Sequence, residues 1–356
     1  MLSTVRTYAS FVKFSHTVFA LPFAIAGMVA AYAAAIKYTT RYSWGPAIDQ
    51  FGHINFSWST MGLILVCMVS ARTFAMALNR LVDREIDALN PRTAQRELPS
   101  GKLSARSGWA LALISAFAYF GSCFTLGQVV FVLSPIPLAV MWLYPYTKRF
   151  TAFCHFVLGI SLGFAPIGAW VAVRGMLRNY DGGGDEDPFN VVASWRAVLF
   201  GYKGLYLKGM GWGALTEVAP WLLAAAVALW VAGFDIIYAL QDEEFDRHHR
   251  LRSIPAALGR VQALRVSRLA HALGAVLFSA FVFAVMHDPW DMGGYSRTNL
   301  APWVWAAPCV MLVGMVYQHS LVKPDDLSRV NVAFFTVNGV ISVIFGAIFV
   351  AAWLLA

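Results

Sequence analysis

Charge is the first thing this sequence lacks. Only 13% of its 356 residues are Asp, Glu, Lys or Arg, against roughly 25% in an ordinary soluble domain. Hydrophobic residues make up 59% and the mean hydropathy is +0.61. The length would allow two soluble domains, but there is too little polar surface to coat them, and disordered and collagen-like classes fail on the same composition. Cysteine is scarce too. Cys67, Cys123, Cys154 and Cys309 stand singly in apolar runs without CxxC spacing, which argues against a disulfide scaffold or thiolate metal site and makes them small buried hydrophobes. Acidic residues are outnumbered, 19 to 27, for a net charge of +8. In a membrane chain such an excess marks cytoplasmic loops and anionic partners such as phosphates and lipid headgroups rather than nucleic acid. A polytopic membrane protein, solvated by lipid, is what remains.

Runs long enough to cross a bilayer occupy residues 15–36, 59–79, 108–127, 129–147, 152–173, 219–240, 262–286, 302–320 and 330–355. The expected architecture is therefore all-α, about nine transmembrane helices in one domain over 1–356. The first run has the length of a span rather than of a signal peptide. The split at Gln128 is the least obvious, because two helices must meet there with almost no polar turn. Loops on the side of the N-terminus, with Arg265 and Arg268 at the adjoining start of the seventh span, carry 18 Lys and Arg against eight on the other, with Arg72 deeper inside a span. The positive-inside rule places the first set in the cytoplasm. Segment 174–218 is then an extracytoplasmic insertion, with a flexible acidic turn at Asp181–Pro188 and a Trp- and Tyr-dotted stretch suited to the interface.

Two acidic clusters stand out. Asn79, Asp83 and Asp87 follow one another at four-residue steps, sharing a helix face with about 40° of drift per step. Asp235, Asp242 and Asp246 share a face at the end of the sixth span. Four spans separate the clusters, so both emerge on the same side and can face one cavity. Each is followed by basic residues and a Pro/Gly turn: Arg92, Arg96, Pro99 and Gly101, then Arg247, Arg250, Arg252, Pro255 and Gly259. The pattern reads as an internal duplication with two half-sites. Bare carboxylates so spaced repel one another and are costly near lipid. A hard divalent cation resolves that, since magnesium accepts a few carboxylates and completes its shell with water and substrate phosphates, while arginines neutralise the remaining phosphate charge. The rival for a single cluster is a solvated helix end salt-bridged to Arg80, Arg84 or Arg247; its repetition favours a site for magnesium-bound diphosphate. A cation-coupled transporter is the alternative from another class, but its acids belong at the bilayer midplane on broken helices.

Asn79-xxx-Asp83-xxx-Asp87 and Asp235-xx-Tyr238-Ala-x-Gln241-Asp242-xxx-Asp246 resemble the paired aspartate signatures of the UbiA superfamily of intramembrane aromatic prenyltransferases. Asn90-Pro-Arg92-Thr-Ala-Gln-Arg96-Glu-Leu-Pro99-Ser-Gly101, Tyr144-Pro-Tyr146-Thr-Lys148-Arg149 and Ser253-Ile-Pro255 agree with it. The resemblance covers nearly the whole chain, apart from the 174–218 insertion. It implies a helical fold around a central cavity and transfer of a polyprenyl group from polyprenyl diphosphate to an aromatic acceptor, beside membrane lipid. It implies magnesium on Asn79, Asp83, Asp87, Asp242 and Asp246, with Arg92, Arg96, Lys148, Arg149 and Arg252 as candidates to stabilise the leaving diphosphate. Tyr238, and less so Tyr144 and Tyr146, are candidates to face the allylic cation.

Arg72, within the second span, either pairs internally with an aspartate, the reading favoured here, or meets an acceptor carboxylate. Asp235 is expected to orient a metal or accept the ring proton. His16, His155 and His271 read as hydrogen-bonded structural groups, while His248 and His249 sit in the basic loop. Small residues in 159–173 and 331–350 suit either ordinary helix packing or gaps for an isoprenoid tail. The text around Asp242–Pro255 is most similar to the 4-hydroxybenzoate polyprenyltransferase branch, which implies 4-hydroxybenzoate as acceptor in respiratory quinone synthesis, with an aminofutalosine-type benzoate in menaquinone synthesis as the alternative. The expected location is a bacterial-type inner membrane, with the active site facing the cytoplasm.

Overall fold

The computed structural model describes residues 7–8, 10–12, 19–42, 56–180, 215–286 and 300–355; His16 and most of the 174–218 insertion lie outside them. Among the described residues there are helices and turns but no strand. The principal helices are α1 Leu21–Tyr42, α2 Trp58–Val82, α3 Arg84–Leu89, α4 Ala105–Leu126, α5 Gln128–Leu133 and α6 Pro135–Thr147. They continue with α7 Cys154–Tyr180, α8 Leu215–Ala239, α9 Glu243–His248, α10 Ile254–Met286, α11 Ala306–Leu321 and α12 Asn338–Leu354.

Among the described residues eight helical stretches are long and apolar enough to span a membrane, α5 with α6 forming one and α8 with α9 another. The first expected span corresponds to α1, a helix of 22 residues. Serine starts two of the spans: the Ser57 and Ser104 hydroxyls accept from the backbone N–H groups of Thr60 and Ser107, each at 3.1 Å, satisfying donors that an uncapped helix leaves bare. The abrupt junction after α4 is made by Gly127, whose φ of +130° turns the chain without a polar loop. Pro135 then opens α6 at a position where its missing N–H costs nothing.

Lipid-facing side chains such as Phe117 and Val313 are exposed, while Trp170, Trp230, Phe23 and Phe345 are wholly buried. α8 lies at the centre, packed along α7 and α10, while α2 packs along α4 and α1 along α7. Glycine brings α7 and α8 together. A Cβ at Gly159 would stand 2.1 Å from the Ala228 carbonyl oxygen, and one at Gly163 2.7 Å from that of Ala224. At these two residues the small side chains serve close packing; the isoprenoid-gap alternative suits instead the face of α7 that bears Leu158, Leu162 and Ala165 and lines the cavity described below. His271 has the structural role expected for it. One ring nitrogen meets the Trp230 carbonyl at 3.1 Å and the other His319 at 3.0 Å, while Ser267 donates to the Gly233 carbonyl at 2.7 Å. These contacts fix α8, and hence the acidic cluster at its end, against α10.

Candidate active site

Both acidic clusters sit at an interruption of a long helix. α2 stops at Asp83 (φ −93°, ψ 3°) and resumes as the six-residue α3; α8 ends in a tight turn at Leu240–Asp242, with Asp242 at φ −103°, ψ 2°, and resumes as the six-residue α9. Downstream of each break the chain bends at a glycine of positive φ: Gly101, in the turn before α4, at +72°, and Gly259, at a kink inside α10, at +75°. The two halves thus repeat the same break, which is what an internal duplication would leave.

The two ends open on one cavity of about 410 Å³. Asn79, Asp83, Asp87, Asp235, Tyr238, Asp242 and Asp246 all line it, as do Arg72, Arg92, Arg96, Tyr144 and Lys148. Asn79 donates to Asp83 at 3.3 Å, and Lys148 reaches the same Asp83 oxygen at 2.9 Å. Asp83 is 3% exposed, and burial pushes its carboxyl above the usual carboxylate range, with Lys148 only partly opposing. Asp87 receives Arg96 on both oxygens at 2.8 Å.

The half-sites are tied by a contact spanning 150 residues of sequence. Arg92 grips Asp242 with Nε, at 2.9 Å, and Nη2, and its Nη1 donates to the Tyr238 hydroxyl at 2.9 Å. Asn90 donates to Asp242 at 3.0 Å. The Tyr238 ring is braced by Phe334, 4.2 Å between centroids, and lies 5.2 Å from the Arg92 guanidinium carbon.

Several side chains sit where the sequence did not put them. Among the described residues Arg72 makes no ion pair with an aspartate, contrary to the pairing favoured above; it lines the cavity, and its buried Nε has no hydrogen-bond partner there. Arg149 turns outward, donating to the Val82 carbonyl at 2.8 Å with Asp83 3.9 Å away, and Arg252 donates to the Phe150 carbonyl at 2.9 Å; neither lines the cavity, and nor does Tyr146. Both arginines are drawn off by carbonyls of neighbouring helix ends. Asp235 is paired with His155, Nδ1 to Oδ2 at 2.7 Å, while His155 Nε2 accepts the Ile254 N–H at 3.3 Å. That pattern assigns the proton to Nδ1, donating to Asp235. His155 is therefore structural as expected, but it also belongs to the cavity.

Sequence reasoning missed Glu243 and gave Arg80 only the bland salt-bridge role. Glu243, 7% exposed, receives Arg247 and Arg260 at 2.8 Å each and holds α9 to α10. A run of three acids, Asp242 to Glu244, hid which one is buried. Among the described residues no three acidic, cysteine or histidine side chains converge on one metal position. The carboxylate and amide side chains of the two signatures nonetheless present oxygens, and buried Asp83 Oδ1 has no hydrogen-bond partner. A hard cation that takes one or two carboxylates and draws its other ligands from water and phosphate fits that set.

Fold and site together define an integral membrane protein with an acid- and base-lined cavity between two repeated helix ends. The UbiA prenyltransferase family model matches residues 20–340, and the chain belongs to that family. It is 26% identical to 4-hydroxybenzoate solanesyltransferase of Synechocystis sp. over 83% of each chain, and 26% identical to 4-hydroxybenzoate octaprenyltransferase of Serratia proteamaculans, where the match spans 61% of each. The apo structure of a UbiA homologue from Aeropyrum pernix K1 superposes with a TM-score of 0.68 at 32% identity, covering 94% of this chain and 97% of that one. A UbiA homologue from Archaeoglobus fulgidus bound to GPP and Mg2+ shares the fold at 17% identity, TM-score 0.57, over 98% and 99%.

Proposed function

We propose that this protein transfers a polyprenyl group from polyprenyl diphosphate to the ring of 4-hydroxybenzoate, with its active site on the cytoplasmic face of a bacterial-type inner membrane. The observation that carries the acceptor class is Arg72. A guanidinium inside a membrane span needs an anion, and the cavity's aspartates leave Arg72 without one. A benzoate carboxylate supplies it, worth about 1.5–3 kcal/mol as a charge-assisted hydrogen bond. The names of the relatives in Synechocystis and Serratia support the same acceptor.

Asn79, Asp83 and Asp87 on one helix end and Asp242 and Asp246 on the other would hold magnesium, which when bound neutralises the diphosphate and makes it a better leaving group. Arg92, Arg96 and Lys148 line the same end of the cavity and bind phosphate oxygens, stabilising the charge that grows there as the allylic C–O bond breaks. Tyr238, held in place by Arg92 and Phe334, presents its ring to the allylic carbon. The acceptor hydroxyl activates its ortho carbon, which attacks. The ring proton passes to Asp235, whose Oδ2 is already oriented by His155.

The test is an in vitro prenylation assay read by mass spectrometry, offering purified protein a prenyl diphosphate with 4-hydroxybenzoate, an aminofutalosine-type benzoate, haem B, a chlorophyllide or a glycerol phosphate ether. Ring-prenylated 4-hydroxybenzoate is expected, with no membrane gradient present. Prenylation of only the last three would overturn the acceptor class.

A further inference from the structure

Three basic side chains that face the donor's phosphates each also have a carboxylate partner within the protein: Arg92 has Asp242, Arg96 has Asp87 and Lys148 has Asp83. Arg72 is assigned above to the acceptor carboxylate. One cation is left. Arg80, in the last turn of α2, is 4% exposed yet lines the cavity, and its Nε and Nη1 are buried without a hydrogen-bond partner. The C-terminal carbonyls of α2 favour a positive charge there, but they leave those N–H groups without acceptors. The acidic side chains bearing on its guanidinium are Asp87 and Glu97, with Arg96 opposing them. Asp87 is taken on both oxygens by Arg96, Glu97 accepts from the Ser10 hydroxyl at 2.6 Å, and no hydrogen bond joins either to Arg80.

We propose that Arg80 binds the diphosphate of the prenyl donor, its planar fork completed by phosphate oxygens when the donor is in place. The inference rests on the reading of this cavity as a prenyl-diphosphate site. The choice of donor over acceptor follows from depth. Arg80 adjoins Asn79 at the helix end where the two acidic clusters face each other. Arg72 lies eight residues earlier on the same helix, about 12 Å along its axis. One small anion does not bridge that distance, so the two arginines divide the two anionic substrates between them.

The experiment measures binding of geranyl diphosphate and of inorganic diphosphate, each with magnesium, to the full-length protein in detergent by calorimetry. Wild type is compared with Arg80→Gln and Arg80→Lys, and KM for 4-hydroxybenzoate is determined alongside. Arg80→Gln is expected to weaken geranyl diphosphate by about ten- to a hundredfold. Arg80→Lys should weaken it less, because the charge stays and the fork is lost. Inorganic diphosphate should follow the same order, and the acceptor KM should not move. Unchanged donor affinity, or a raised acceptor KM at constant donor affinity, would overturn the assignment. If Arg80→Gln does not fold, Arg80→Lys decides: donor affinity equal to wild type means that Arg80 only packs. A wild-type protein that binds no prenyl diphosphate sinks the reading of the cavity itself, whereas tight wild-type binding matched by both variants sinks only this inference.

Discussion

At the scale of single residues, Asp83 and Asp242 are the side chains whose charge matters more than their shape. The nearest cation to Asp83 is Lys148, at 2.9 Å, and to Asp242 the Arg92 guanidinium. An amide keeps an oxygen for that partner but loses the negative charge a divalent cation needs. Asp83→Asn and Asp242→Asn are therefore each expected to cut turnover by about 10²–10³-fold while the thermal unfolding midpoint in detergent stays near wild type. EDTA should abolish wild-type turnover and excess magnesium restore it; undiminished activity in either variant or in EDTA would refute the assignment. These aspartates were legible because four-residue spacing is visible in a sequence. Their partners were not. Arg92 meets Asp242 across 150 residues and His155 meets Asp235 across 80, and nothing local distinguishes Arg92 from Arg252, which the fold turns onto a carbonyl. Which cation faces which acid is decided by helix packing.

At the scale of elements, hydropathy located the spans well because lipid imposes length and apolarity on each one separately. What it did not reveal is how closely two helices approach. Gly159 and Gly163 are ordinary small residues in the sequence, yet a Cβ at either would enter the backbone of α8. Since a backbone carbonyl cannot rotate away as a side chain can, even Gly159→Ala is expected to force α7 and α8 apart, at a cost of about 1–3 kcal/mol. α7 carries His155 and α8 carries Asp235, so the shift separates that pair. Lower thermal stability together with lost turnover is the expected signature, and a midpoint equal to wild type would show that the crossing is looser than described. Gly168 is the packing control on the same helix: a Cβ there meets no protein atom within 4 Å and points to the cavity, so Gly168→Ala should leave the thermal midpoint unchanged.

At the scale of the whole molecule, the two half-sites come from opposite halves of the chain and close one cavity through the Arg92–Asp242 contact. Neither half holds the full set of described cavity residues, so the cavity needs both. The even number of spans between the clusters, read from hydropathy alone, puts both on one face. The unequal distribution of Lys and Arg, 18 against eight, is the ground on which the proposed orientation assigns that face to the cytoplasm. Much of the basic set belongs to loops 80–107 and 241–261, the same loops that follow the aspartates, so the phosphate-binding charge and the topology signal coincide. Gln95, exposed in the first of these loops, reports the orientation directly. In a chain otherwise free of cysteine, Gln95→Cys is expected to react with a membrane-impermeant maleimide only after the cells are permeabilised, whereas Ser194→Cys, in the insertion, should react in intact cells. The reverse pattern would invert the topology and place the diphosphate site outside the cytoplasm.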